Sequence, residues 1–192
     1  MKKRTITFVT SNNKKFEEVA RWIRDIDPSI TIEQAPIELP EYQSLDVHEI
    51  GLGKALEAWR IVQKPLFIDD GGIFLERYPL FPGTFSKFIV EAIGLEGIWK
   101  VAQEDPRASF KCTLVYIDGP ENHQFFDGVC PGTLIEPKEP IKDPKVPYTQ
   151  IFIPQGKTKT LSQLRGTDEE KPLHHRYKAL QAMVSWLKKQ KK

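Results

Sequence analysis

Residues 6–23 read ITFVTSNNKKFEEVARWI. Ile6, Phe8 and Val9 form an apolar run, Thr10 to Lys15 a polar knot, and Phe16, Val19, Ala20 and Ile23 then recur at i, i+3, i+4 and i+7. That spacing predicts an amphipathic helix entered directly from a strand, the opening of an α/β chain. A helix N-terminus offers unpaired N–H groups and a partial positive charge, which suits an anion. Thr10, Ser11, Asn12 and Asn13 add short polar groups, and Lys14 or Lys15 adds a full charge. The set fits a phosphate but is no Walker loop, because the glycines are missing. Taken alone, the stretch is better explained as an Asn-rich cap with solvated lysines.

Outward from this junction, Asp27-Pro28-Ser29 makes a turn and Ile30-Thr31-Ile32 a short strand, followed by the loop APIELPEYQS. A helix starts near Asp46, with Glu49 three residues on as a capping box, and carries Leu52, Ala55, Leu56, Trp59 and Val62 on one stripe. Residues 65–68 form a buried strand running into Asp69-Asp70-Gly71-Gly72, and Ile73-Phe74-Leu75 resumes an extended reading. A Pro-rich loop spans Tyr78 to Gly83, and two short helices follow at 86–93 and 95–103. Ala108, Phe110, Cys112, Leu114 and Tyr116 alternate as a half-buried strand. Residues 123–129, 133–135 and 151–153 read as partner strands, and the last helix runs from Arg176 to Lys188 with Leu180, Met183, Val184 and Leu187 on one face. The expected architecture is α/β: a single domain over residues 1–192, an elongated mixed sheet with flanking helices, in two lobes around a central cleft.

The 192 residues are enough to bury a core. A net charge of +2 with 28% charged residues excludes a dedicated nucleic-acid binder, and the only basic cluster is the tail Lys188, Lys189, Lys191, Lys192, read as solvated fraying. No apolar run is long enough for a membrane span or a signal peptide, so the chain is expected in the cytoplasm, away from membranes. Cys112 and Cys130 read as buried, inert thiols.

Three further stretches bear chemistry. Asp69 and Asp70 at the end of an apolar strand place carboxylates where α/β sheets bind ligands, and a carboxylate there can hold Mg²⁺ beside phosphates; an Asp-Gly turn capping its own backbone is an equal reading. The loop LPEYQS offers Glu41 and Gln43, one more carboxylate for a metal or simply a solvated acid. Lys171, His174, His175 and Arg176 precede the final helix as a cationic set facing a nucleotide, or as an ordinary helix start. Adjacent histidines diverge on any regular element, so a two-His metal site is not expected.

In this order the stretches resemble the inosine triphosphate pyrophosphatase family along essentially the whole chain. TSNNKK is similar to the family's T-(G/S)-N-x-x-K, LPEYQS to its Glu-x-Gln loop, and DDGGIFLERYPLFPGTFSKF to its acidic strand end and P-G-x-(Y/F)-S loop. IFIPQGKTKTLSQL and HHRYKAL are similar to the late I-F-x-P-x-G-x-x-K-T and S-H-R-G-x-A-L segments. The resemblance implies Mg²⁺-dependent cleavage of ITP, dITP or XTP to the monophosphate and pyrophosphate, with the cleft as nucleotide site. It implies Thr10 to Lys15 at the triphosphate, Glu41 and Asp70 on Mg²⁺, Asp70 as the base and Lys15 as the catalytic cation. Gly71, Tyr148, Thr149, Lys171, His175 and Arg176 match further substrate-binding positions, and the family is usually a homodimer through its middle region.

The chain departs from the pattern in a cluster. Asp70-Gly71-Gly72 stands where the family has D-(S/T)-G, Val146 to Gln150 where it has F-G-(Y/W)-D-P, and His174-His175-Arg176 where it has S-H-R; Lys171 to His175 is one residue shorter. The base-stacking aromatic is thus Val146 and the acid Thr149, with Tyr148 or His174 as replacements. The resemblance therefore leaves two alternatives: a shifted base specificity, or a nucleotide-binding chain without turnover.

Overall fold

A computed structural model describes residues 4–190. In chain order the elements are β1 (Arg4–Val9), α1 (Asn13–Ile26), β2 (Ile30–Ala35), α2 (Val47–Val62), β3 (Leu66–Leu75), β4 (Pro82–Gly83), α3 (Ser86–Ala102), β5 (Arg107–Gly119), β6 (Asn122–Leu134), β7 (Phe152–Pro154), α4 (Leu161–Leu164) and α5 (His175–Lys189). The mixed sheet runs β2-β1-β3-β5-β6-β7, with β4 on β3. The chain divides into two compact units, and β3, β5 and β6 each contribute residues to both. No described helix is long and apolar enough to cross a membrane.

The first unit comprises residues up to Asp70, Cys112–Gly128 and the chain from Arg176. β1 lies parallel to β2, pairing Arg4 with Ile30, and to β3, pairing Phe8 with Phe67. Parallel neighbours need a crossover, and α1 supplies it between β1 and β2. Both sheet faces are covered. Ile6, Phe8, Phe67, Cys112, Leu114 and Tyr116 pack on one side against Val19, Trp22 and Ile23 of α1 and Leu180, Met183 and Leu187 of α5. On the other, Leu66, Ile68, Val115 and Ile117 meet Ala55 and Ala58 of α2. The half-buried reading of the 108–118 strand is thus corrected: Cys112 to Ile117 are all buried because helices cap both faces. Lys188 is not frayed either; it sits inside α5 with its ammonium 3.6 Å from Asp27, while Lys191 and Lys192 lie outside the described residues.

The second unit comprises Gly71–Lys111 and Val129–His175, built around Leu75, Leu95, Ile98, Leu134 and Phe152. Gly94, at φ 65°, interrupts α3 and makes the two short helices expected. β6 runs unbroken where two strands were expected, because Gly132 to Leu134 pair antiparallel with β7. α4 went unread, although Thr160 and Gln163 cap it reciprocally and T-x-x-Q carries that signal. At α2 the reverse holds. Asp46 accepts from the His48 N–H as expected, but Glu49 accepts from the Ser44 hydroxyl rather than closing a box.

The Asp-Asp-Gly-Gly run is the largest local correction. β3 passes straight through it, so neither acid sits in a turn. The glycine serves close approach instead: a Cβ on Gly72 would lie 2.0 Å from the carbonyl oxygen of Gly83 in β4. Replacing Gly72 by alanine is expected to cost on the order of 1–3 kcal/mol by overpacking, read as a lower urea midpoint at unchanged slope.

Candidate active site

Successive strand residues face opposite sides of a sheet. Because β3 stays extended, Asp69 follows Phe67 onto the α1/α5 face and Asp70 follows Ile68 onto the α2 face. The sequence could not separate the two acids; the strand does. Asp69 accepts from the Lys15 ammonium at 2.9 Å and from Arg176 Nε at 2.6 Å. A second guanidinium nitrogen of Arg176 donates to Glu18 at 3.1 Å. Burial alone would raise the Asp69 pKa, but Lys15 and Arg176 outweigh it and hold the carboxyl well below its usual range. Burial likewise works against the charge on Arg176, and Asp69 and Glu18 reverse that.

Asp70 has a different partner. Lys54 of α2 donates to Asp70 at 2.7 Å and to Glu41 at 3.0 Å. Burial disfavours its charge, yet the two carboxylates raise its pKa above the ordinary value. The Glu41 and Asp70 oxygens converge on this one point. An all-oxygen, doubly negative pair of this kind fits a hard divalent cation such as Mg²⁺. Lys54 was not anticipated, since it sits in a helix read for its apolar stripe; the signal lay in its basic side chain one residue before Ala55 of that stripe.

A cavity of about 370 Å³ is lined by Thr10, Ser11, Lys15, Glu41, Lys54 and Asp69 over Val9, Leu39 and Ile68. At its edge α1 begins as the sequence suggested. Asn12 caps the Lys15 N–H at 3.1 Å, Thr10 Oγ1 accepts from the Asn12 N–H, and Asn13 Oδ1 accepts from Gln34. Ser11 and Lys14 are exposed, and Gly71 lies exposed in β3.

The remaining candidates lie in the second unit. Tyr148 is buried and its hydroxyl donates to the Ser86 carbonyl at 2.9 Å, burial pushing its pKa up. Thr149 is buried too and donates to the Val146 carbonyl at 2.7 Å. Gln150 donates to the carbonyls of Glu139 and Pro140. The His174 and His175 rings do not diverge: they stack 4.4 Å apart, because His174 sits in the turn before α5, and His175 stacks on Phe110 at 5.3 Å. The Lys171 carbonyl in the same turn accepts from the His174 N–H. Cys112 is as inert as expected, burial pushing its thiol up to about 12.

The chain is similar to known proteins along nearly its whole length. The model of the Ham1 family matches residues 6–186. A dITP/XTP pyrophosphatase of Pyrococcus horikoshii is 38% identical, covering 95% of this chain and 96% of that protein. The inosine triphosphate pyrophosphatase of Yarrowia lipolytica is 27% identical over 95% of each. Among solved structures, a HAM1 protein from Coxiella burnetii superimposes with a TM-score of 0.79 at 21% identity, covering 97% of this chain and 99% of that one, which is a likeness of fold.

Proposed function

The chain belongs to the Ham1 family, and from that premise we propose that it hydrolyses non-standard purine nucleoside triphosphates (ITP, dITP and XTP) to the monophosphate and pyrophosphate. The observation that carries this reading is the cavity whose wall holds Thr10, Ser11 and Lys15 together with Glu41 and with Lys54, the residue bonded to Asp70. The N–H groups of the first turn of α1, with Thr10 and Ser11, bind the triphosphate, and Lys15 supplies the cation that stabilises charge as the bond breaks. Asp69 orients Lys15 from the buried side. Glu41 and Asp70 would hold Mg²⁺, which would offset phosphate charge and polarise water when bound. Asp70 takes the proton from the attacking water as it adds to the α-phosphorus, and pyrophosphate leaves.

The chain is in this reading a cytoplasmic enzyme, and the exposed Leu80, Phe88 and Ile93 of the second unit support a homodimer. A shift in base selectivity is the second reading, and it rests on one observation. The hydroxyls of Tyr148 and Thr149 and the Gln150 amide N–H donate to carbonyls of their own unit, and Gln150 Oε1 accepts from the Lys142 N–H, so they offer a base little to read.

The test is pyrophosphate release across a nucleoside triphosphate panel with Mg²⁺. Turnover of inosine and xanthosine triphosphates over ATP and GTP is the expected result. A flat profile would establish the shifted selectivity, and no turnover of any nucleotide would remove the enzymatic reading.

A further inference from the structure

Lys54 holds both metal-fitting carboxylates at once. Its ammonium lies 2.7 Å from Asp70 and 3.0 Å from Glu41, and its side chain is 15% exposed. The arrangement is built from two sides. A Cβ on Gly53 would come within 3.2 Å of the Tyr42 ring, so that glycine lets the residue next to Glu41 settle against α2 beside Lys54. From the other side, β3 presents Asp70 on the α2 face. Charge-assisted contacts of this kind are short and strong, and a divalent cation cannot share the same two carboxylates with an ammonium without like-charge repulsion.

We infer that Lys54 is an internal counter-ion: it closes the Glu41–Asp70 pair to a free divalent cation and releases it when a triphosphate enters. The cavity makes the exchange possible, since Lys54 lines it together with Thr10, Ser11 and Lys15, where the triphosphate would lie. A triphosphate offers the displaced ammonium a new anionic partner. A bare cation must break both Lys54 contacts and brings the displaced ammonium no anion. Metal and nucleotide therefore bind with positive, reciprocal coupling, and the enzyme is spared a standing metal ion that would activate water without substrate. The inference rests on the metal reading above and assigns Lys54 a positioning role within it.

The experiment is Mn²⁺ binding to the full chain, followed by electron paramagnetic resonance, with and without an α,β-methylene analogue of inosine triphosphate. In wild type, Mn²⁺ binds weakly alone and much more tightly with the analogue. Lys54→Met, nearly the same length without the charge, is expected to bind Mn²⁺ alone at least tenfold more tightly and to lose a similar factor of coupling. Lys54→Arg keeps the charge and stays weak. Lys54→Gln serves as a second uncharged variant should the methionine chain melt early. Mn²⁺ affinity that is unchanged or weaker in the uncharged variants overturns the inference. Glu41→Gln in the Lys54→Met background separates the two readings. If it abolishes Mn²⁺ binding, the metal site stands whatever Lys54 does; if it changes nothing, the metal site itself falls.

Discussion

Asp70→Asn lowers kcat/KM for pyrophosphate release by about 10²–10⁴-fold, the usual contribution of a general base, while leaving the chain folded. The expectation follows from strand geometry. Asp70 shares the α2 face of β3 with Lys54 and lies close enough to Glu41 for one ammonium to bond both. Asparagine keeps the shape and still accepts from Lys54, so the stability loss is that of a weakened charge-assisted hydrogen bond, about 1–3 kcal/mol. In the proposed mechanism, proton abstraction and half of the carboxylate charge that would hold the metal both go. Steady-state kinetics with saturating Mg²⁺, beside a thermal melt, decide the matter. Activity within tenfold of wild type in a folded Asp70→Asn chain would show that another group takes the proton.

The opening strand–helix junction was legible because its signals are local: a 3.6-residue apolar period, an Asn cap and lysines all fall within one turn of one another. The roles of Asp69 and Asp70 were not, and the reason is specific. Two glycines after two acids read as a turn, and inside a turn the facing of side chains is undefined. Gly72 is instead there for β4, whose Gly83 carbonyl would strike any Cβ, and that neighbour is eleven residues away in the chain. Once β3 is known to continue, period 2 assigns the acids to opposite helices. Lys54 shows the opposite difficulty. Its helix was visible, but a lysine among apolar positions carries no mark of the two carboxylates that a loop and a strand bring to it. The histidine pair failed similarly, since divergence of neighbours holds only within a regular element and His174 precedes one.

Asp69→Asn is expected to destabilise the chain by about 3 kcal/mol, toward the lower end of the cost of breaking a buried ion pair from one side. The Asp69 side chain is only 4% exposed and serves two cations, Lys15 and Arg176. Asparagine can still accept from one of them, and Arg176 keeps Glu18, which places the loss at the lower end. The pH dependence distinguishes this from a packing defect. The folded-state pKa of Asp69 is depressed below the ordinary 3.8, so the folded state binds its proton more weakly than the unfolded chain. Its contribution is therefore complete above the unfolded pKa and drains away as pH falls through the folded value. Urea unfolding of wild type and the Asp69→Asn chain, measured from roughly pH 7 down to pH 3, should show a constant gap at the neutral end that narrows below the ordinary carboxylate pKa. Parallel curves over the whole range would mean that the carboxylate charge is not what holds Lys15 and Arg176 in place. In the proposed site the same variant loosens Lys15 on the cavity wall, so its KM for nucleotide rises even where the chain remains folded. Asp70→Asn, by contrast, acts chiefly on kcat, and that division of KM from kcat follows from the two faces of one strand.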